Sequence, residues 1–298
     1  MTTPQLITRA DELRLLRQQR DKAQKTLALV PTMGNLHAGH LSLVETAKTL
    51  ADQVMVSIFV NPLQFGPNED FDAYPRTLDA DLARLAEVGC DLVFAPSAST
   101  LYPEGQNHQT RVLVPQVSEG LCGSKRPGHF EGVATVVSKL FNLTQPQVAC
   151  FGEKDYQQLS VIRKLTQDLN FPIQIVGVPT CRDADGLALS SRNQYLSSKE
   201  RSIAPGLFAT LQQTAAALTT GNRQFHHLEE DARAHLAELG FAPDYYEIRA
   251  LDLTAPKVDA SAWVILAAAF LGKTRLIDNL EVRLCDSGRG GQDPSNPV

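Results

Sequence analysis

No run of apolar residues in this chain is long enough to span a bilayer, so a membrane-spanning helix is not expected. The first residues carry Asp11, Glu12 and several arginines where a secretory signal would need its apolar core. Cysteine is sparse. Five residues, Cys90, Cys122, Cys150, Cys181 and Cys285, lie far apart with no Cys-x-x-Cys among them. An odd, dispersed set suits free thiols in a reducing compartment better than a disulfide frame or a zinc site. Positive charge is not concentrated either: the formal net charge is −5 and no long basic run occurs, so no nucleic-acid partner is indicated. What is left is a cytoplasmic, soluble α/β protein, with 43% apolar residues to fill a core and 298 residues to divide into about two domains.

The rest of the chain is organised around residues 27–50. Leu27-Ala28-Leu29-Val30 is a short apolar run suited to a buried parallel strand, which Pro31 is expected to end. Gly34 and Gly39 permit tight turns and close approach of backbone to a ligand. Beyond them Leu41, Val44 and Ala47 recur at helical spacing. A strand, a glycine-containing turn and a helix set free N–H groups and a helix dipole at the carboxyl edge of a sheet, which is a site for phosphate. His37 and His40 lie in that turn, one helical turn apart. Alone, a His-x-x-His pair is more often solvated. A zinc reading would need His-Glu-x-x-His inside a helix and a third ligand. In this context the pair reads as donors to phosphate oxygens and to charge that develops during nucleotidyl transfer. The His-x-Gly-His pattern resembles the signature of the nucleotidylyltransferase and class I aminoacyl-tRNA synthetase superfamily, which implies ATP bound on the first strand–helix turn of a Rossmann-like domain.

Further strands are expected over 54–60, 90–95, 148–151 and 173–178, alternating with helices over 9–24, from 77 or 79 to 88, from 133 and over 156–169. Asn61 and Gln64 follow the strand at 54–60 in a proline-rich loop, where neutral amides can read a substrate's hydroxyl or carboxylate groups. Arg126 and His129 are second-tier candidates for an anion. Gly152, Glu153, Lys154 and Asp155 repeat the strand–glycine–charged turn–helix geometry. There Lys154 can neutralise phosphate, Asp155 can cap the helix or accept a ribose hydroxyl or a magnesium-bound water, and Gln158 lies one turn further on. Ser190, Ser191 and Arg192 have the composition of a phosphate clamp. From 184 the composition shifts towards helices over 198–219 and 226–239 and strands over 245–251, 262–270 and 274–282. The tail at 286–298 reads as disordered. The expected architecture is α/β: a Rossmann-like parallel sheet with helices on both faces over 1–183, and a smaller α+β C-terminal domain over 184–285.

Taken together, Pro31-Thr32-Met33-Gly34-Asn35-Leu36-His37-Ala38-Gly39-His40, Ser57-Ile58-Phe59-Val60-Asn61-Pro62-Leu63-Gln64-Phe65, Tyr74-Pro75-Arg76-Thr77, Arg126-Pro127-Gly128-His129-Phe130, Phe151-Gly152-Glu153-Lys154-Asp155 and Gly186-Leu187-Ala188-Leu189-Ser190-Ser191-Arg192-Asn193 resemble the pantoate–β-alanine ligase family, over roughly residues 5–283. The resemblance implies ATP-dependent condensation of pantoate with β-alanine through a pantoyl-adenylate, with Mg2+ and a homodimer. It also assigns ATP contacts to Met33, Gly34, Asn35, Leu36, His37, Ala38, Gly39 and His40, to Gly152, Glu153, Lys154 and Asp155, to Cys181 through its backbone, and to Leu189, Ser190, Ser191 and Arg192. His40 falls on the family's proton-donor position, and Gln64 and Gln158 fall on its pantoate-binding glutamines, with Gln64 also at the β-alanine site. His37, His40 and Lys154 are the residues expected to act on the reacting phosphates, with Asn61 beside Gln64 at the substrate. A different nucleotidyltransferase would need Lys or Arg near residues 61–64 for a phosphorylated acceptor, and none is there. A non-catalytic nucleotide sensor sits poorly with charged groups intact in three loops.

Overall fold

In the computed structural model, residues 3–67, 69 and 71–284 are described; Cys285 and the tail at 286–298 lie outside them. Six strands form one all-parallel sheet: β1 (Gln5–Ile7), β2 (Leu27–Thr32), β3 (Gln53–Ile58), β4 (Leu92–Phe94), β5 (Val148–Gly152) and β6 (Gln174–Val178), in the order β1-β4-β3-β2-β5-β6. The chain builds outward from β2 through β3 to β4, then restarts at β5 on the other side. The strand order therefore reverses between β2 and β5, and the cleft beyond their carboxyl ends is where ligands bind in such sheets. The intervening helices are α1 (Ala10–Lys22), α2 (Ala38–Lys48), α3 (Leu78–Glu87), α4 (Ala98–Leu101), α5 (Leu121–Lys125), α6 (His129–Thr144) and α7 (Tyr156–Asp168).

Alternate residues of a strand face opposite ways, and β2 sorts accordingly. Leu27 and Leu29 join a core with Leu13 of α1, Val137 and Phe141 of α6 and Leu159 and Ile162 of α7. Ala28 and Val30 join another with Leu43 and Val44 of α2 and Leu85 of α3. Helices thus cover both faces, as expected.

Two local expectations fail for definite reasons. Pro31 does not end β2, which runs on to Thr32 paired with Ile58. In a parallel strand the N–H and C=O of one residue point the same way. Residue 27 bonds toward β5, through Gln147, so residue 31 does too, and pairing with β5 has stopped after Leu29. The missing donor of Pro31 is therefore never required. The edge strand β1 went unexpected because it is only three residues, with Ile7 alone buried.

The remainder comprises α8 (Ser198–Ile203), α9 (Gly206–Thr219), α10 (Phe225–Glu238) and an antiparallel sheet of β7 (Ala242–Arg249), β8 (Ala262–Leu271) and β9 (Thr274–Arg283) in the order β7-β8-β9. The continuous helix expected over 198–219 is broken before Pro205, which lacks the N–H a helix interior needs. On β8, Trp263, Ile265, Ala267 and Ala269 pack with α9 and α10, whereas Val264, Leu266 and Ala268 join the core of the parallel sheet. The small sheet is thus a layer between the two cores, and its edge strand β9 lies beside the cleft.

Candidate active site

The turn after β2 is anchored from below. Gly34 has φ +81° and Asn35 φ +52°. The buried carboxylate of Asp81, in α3, accepts the backbone N–H groups of Asn35 at 3.0 Å and Leu36 at 2.8 Å and the hydroxyl of Thr77 at 3.1 Å. Thr77 is the residue before α3, yet its hydroxyl serves Asp81 and makes no cap bond. Leu36 is wholly buried against Val30 and Leu43. These contacts fix where α2 starts, and hence where both histidines point.

His37 is the N-cap of α2 and its Nδ1 accepts the N–H of Gly39 at 3.2 Å; the Nδ1 of His40 accepts the N–H of His37 at 3.3 Å. With both Nδ1 atoms accepting, each neutral ring carries its proton on Nε2. Desolvation, with help from Lys154 and Arg84, lowers the His37 pKa from 6.5 to about 4. Desolvation, then the neighbouring His37, takes His40 to about 3. At neutral pH the pair is therefore two uncharged N–H donors.

Asn61 was expected to touch substrate, but its amide is occupied within the protein. Its nitrogen donates to Gln64 Oε1 at 3.2 Å and to the carbonyl of Gly132 at 3.0 Å, and its oxygen accepts from the Tyr102 hydroxyl at 2.8 Å and the Leu63 N–H at 3.3 Å. That exhausts its hydrogen-bonding capacity. Asn61 therefore orients Gln64, whose Nε2 also reaches the Met33 sulfur at 2.9 Å. Arg126 and His129 hold the same residue from behind. His129 Nδ1 donates to the Gln64 carbonyl at 2.8 Å while its Nε2 accepts from Arg126, and Arg126 is ion-paired with Glu69. Burial, then Arg126, lowers the His129 pKa to about 4. This packing work accounts for the second-tier candidates.

Beyond β5, Gly152 leads into a 3₁₀ turn, Glu153–Asp155, and then α7. Asp155 makes no side-chain cap bond, so the expected capping role is not seen and its exposed carboxylate lies on the cleft wall. Gln157 and Gln158 part company. The former is buried and bonded to the backbone at Cys122, Val117, Glu119 and Gly120, while the latter lines the cleft. Beyond β6, Arg182 and Ala188 pair as an antiparallel bridge, and Cys181 O accepts the Leu189 N–H at 2.9 Å. Ser190 then caps the 3₁₀ turn Ser191–Tyr195 by accepting the Arg192 N–H at 3.3 Å.

These segments enclose a cleft of about 800 Å³ lined by Met33, His37, Gly39, His40, Asn61, Gln64, Gly152, Lys154, Asp155, Gln158, Cys181, Leu189, Ser190, Ser191 and Arg192. Five expected ATP contacts do not line it. Gly34, Asn35 and Leu36 are the anchored base of the turn, Ala38 points to solvent, and Glu153 turns toward Gly177. Sequence reasoning passed over Asp81, Tyr102, Asp278 and Asn279. Asp81 left a trace, as a carboxylate on the same helical stripe as Leu78 and Leu85, where period demands an apolar residue.

A parallel sheet whose order reverses beside a His-x-Gly-His turn, faced by a lysine turn and a Ser-Ser-Arg loop, defines a nucleotidylyltransferase-type enzyme. The chain matches the family model of pantoate-beta-alanine ligase over residues 5–281 and belongs to that family. It is 60% identical to the pantothenate synthetase of Ectopseudomonas mendocina (strain ymp) over 274 residues, 92% of this chain and 96% of that protein. Against the crystal structure of pantothenate synthetase from Thermus thermophilus it has 45% identity and a TM-score of 0.86, covering 94% of this chain and 99% of that one. A pantoate-beta-alanine ligase from Francisella tularensis, solved in complex with beta-gamma ATP and beta-alanine, shares 35% identity at a TM-score of 0.77, covering 93% and 97%.

Proposed function

We propose that this chain joins pantoate to β-alanine in two ATP-driven steps within the cleft. A pantoate carboxylate oxygen attacks the α-phosphorus of ATP, the bond to the bridging oxygen of the β-phosphate breaks, and pyrophosphate leaves. The amine of β-alanine then attacks the acyl carbon of pantoyl-adenylate, AMP leaves with the bonding electrons, and the spare ammonium proton passes to solvent. Such displacements ask the protein for in-line positioning and for donors where negative charge grows.

In this reading the Nε2–H groups of His37 and His40 meet phosphate oxygens, and Lys154, with Ser190, Ser191 and Arg192, neutralises the triphosphate. Gln64 and Gln158 hold pantoate, with Asn61 fixing the angle of Gln64. Leu189 and the Cys181 backbone flank the base. Magnesium belongs as a phosphate-bound ion. Of the carboxylates lining the cleft, Glu69, Asp244 and Asp278 are ion-paired with arginines and Asp155 is exposed, and among the described residues no group of three His, Cys, Asp or Glu is gathered to hold a metal alone. The ion would screen the repulsion between carboxylate and triphosphate. The smaller domain over 184–285 acts as a lid that keeps water from the mixed anhydride, and the enzyme works as a cytoplasmic homodimer; sedimentation at micromolar concentration tests the latter.

The observation that carries this reading is the convergence of His37, His40, Lys154 and Arg192 on one cleft from three separate loops. The test is pyrophosphate and AMP release with ATP, magnesium and pantoate, with and without β-alanine. Turnover to pantothenate that depends on β-alanine supports it. Release without pantoate, or none with any pair of substrates, overturns it.

A further inference from the structure

Two adjacent residues of β9 hold the two halves of the nucleotide cleft. The side-chain amide of Asn279 donates to the carbonyls of Glu153 and Lys154, both at 2.9 Å. Asp278, only 4% exposed, receives both arms of the Arg182 guanidinium at 2.6 and 2.8 Å. Neighbouring side chains of a strand leave on opposite faces, so one step along β9 reaches two separate loops.

Each contact is made at a decisive place. The carbonyls that Asn279 ties belong to the 3₁₀ turn that aims Lys154. Fixing two successive peptide groups there fixes the direction of the Cα–Cβ bond from which the flexible lysine stem departs. Among the described residues no side-chain hydrogen bond or ion pair holds the Lys154 ammonium itself, so its aim depends on this backbone. On the other side, Arg182 also donates to the Gly186 carbonyl at 3.1 Å and lies 3.5 Å over the Phe208 ring. It thereby folds the hairpin that delivers Leu189, Ser190 and Arg192 to the cleft.

We propose that Asn279 is a positioning residue for adenylate formation, holding the Glu153–Asp155 turn so that Lys154 meets the triphosphate, while Asp278 registers the opposite loop through Arg182. The small sheet thus sets both phosphate-binding segments in one frame, and a chain whose small sheet is displaced loses both together. This rests on Lys154 acting on phosphate, as proposed above.

The test is a double-mutant cycle of Asn279→Ala and Lys154→Ala, read as the single-turnover rate of pyrophosphate release from ATP and pantoate, with pantoate affinity as the check that each variant is folded. Asn279→Ala alone should slow the step roughly 10- to 100-fold, the scale of a misplaced catalytic group, with pantoate affinity unchanged. In the Lys154→Ala background the same change should cost less than about 3-fold, because a residue acting through Lys154 has nothing left to aim. Release of pantothenate from preformed pantoyl-adenylate and β-alanine should be unaffected by Asn279→Ala. Equal losses in both backgrounds, with Lys154→Ala itself slow, overturn the positioning role and leave the function of Lys154 standing. Wild-type adenylation in Lys154→Ala overturns that function and this proposal with it. Where Asn279→Ala fails to bind pantoate, Asn279→Ser, which keeps one donor for the two carbonyls, takes its place in the same cycle.

Discussion

The Nδ1 atom of His40 accepts the backbone N–H of His37 at 3.3 Å, and the two rings lie 4.1 Å apart between centroids. This arrangement exists only while His40 is neutral, since a protonated Nδ1 would face an N–H. The protein therefore has a built-in preference for the uncharged pair, and its sign is testable. Unfolded histidine accepts a proton at about 6.5, whereas folded His37 and His40 refuse one until about 4 and 3. A proton bound by the unfolded chain alone favours unfolding.

The stability these residues support is thus fully present above about pH 7 and is lost as pH falls, down to about 4 for His37 and about 3 for His40. Over that range the desolvated His40 contributes a slope of up to roughly 1.4 kcal/mol per pH unit, and His37, more open to solvent, contributes less because water screens it. His129, lowered to about 4, acts in the same direction. Urea midpoints of the unliganded protein measured from pH 7.5 to pH 4.5 should hold level to about pH 7 and then fall, and His40→Gln should flatten the fall. A wild-type midpoint that holds constant over that range contradicts the neutral pair.

Asp81 supplies a second expectation. Its carboxylate accepts three donors while almost fully buried, and two of them are the backbone N–H groups of Asn35 and Leu36. Asp81→Asn keeps the shape but turns an NH₂ toward a donor, leaving a buried N–H unsatisfied at a cost of about 1–3 kcal/mol. The variant should be destabilised by that amount and should form adenylate at least about 10-fold more slowly, because the start of α2 is released. Pantoate affinity should stay near wild type. Calorimetry and single-turnover pyrophosphate release measure the two effects; loss of stability with unchanged chemistry would mean that the turn holds without Asp81.

The contrast between Asp81 and His37 explains how much of this molecule the sequence discloses. The strand, glycine turn and helix around residues 27–50 could be read because each rests on local signals: an apolar run, turn residues and 3.6-residue spacing. The Glu153–Asp155 turn and the strands of the small sheet follow from the same signals. The anchors do not. Arg182 meets Asp278 across 96 residues, Tyr102 meets Asn61 across 41, and Asn35 meets Asp81 across 46. No local pattern distinguishes these side chains from solvated ones until the chain is folded. Asn61 shows the converse: its residue type suited substrate recognition, and only its four bonds within the protein show that its amide is already committed.

The support behind Gln64 gives the last expectation. Helix α6 crosses the 61–64 turn at Gly132, where a Cβ would stand 2.3 Å from the Leu63 carbonyl oxygen and 2.7 Å from the Gln64 nitrogen. Both obstacles are backbone, so no side chain can swing aside, and Gly132→Ala must push the turn away from the helix. The displacement moves Gln64 directly and stretches the Asn61 bond to the Gly132 carbonyl, now 3.0 Å. Overpacking of this kind costs about 1–3 kcal/mol. The effect on activity should fall on pantoate rather than ATP, because the histidine turn and the Lys154 turn rest on other supports. KM for pantoate should rise roughly 10-fold or more while KM for ATP changes less than about 2-fold. Tyr102→Phe, which removes only the 2.8 Å bond to Asn61, should shift the pantoate KM in the same direction by a smaller factor. Steady-state kinetics with each substrate varied in turn decides the matter. Equal changes in both KM values would mean that α6 supports the whole cleft, and that the 61–64 turn has no separate role in holding pantoate.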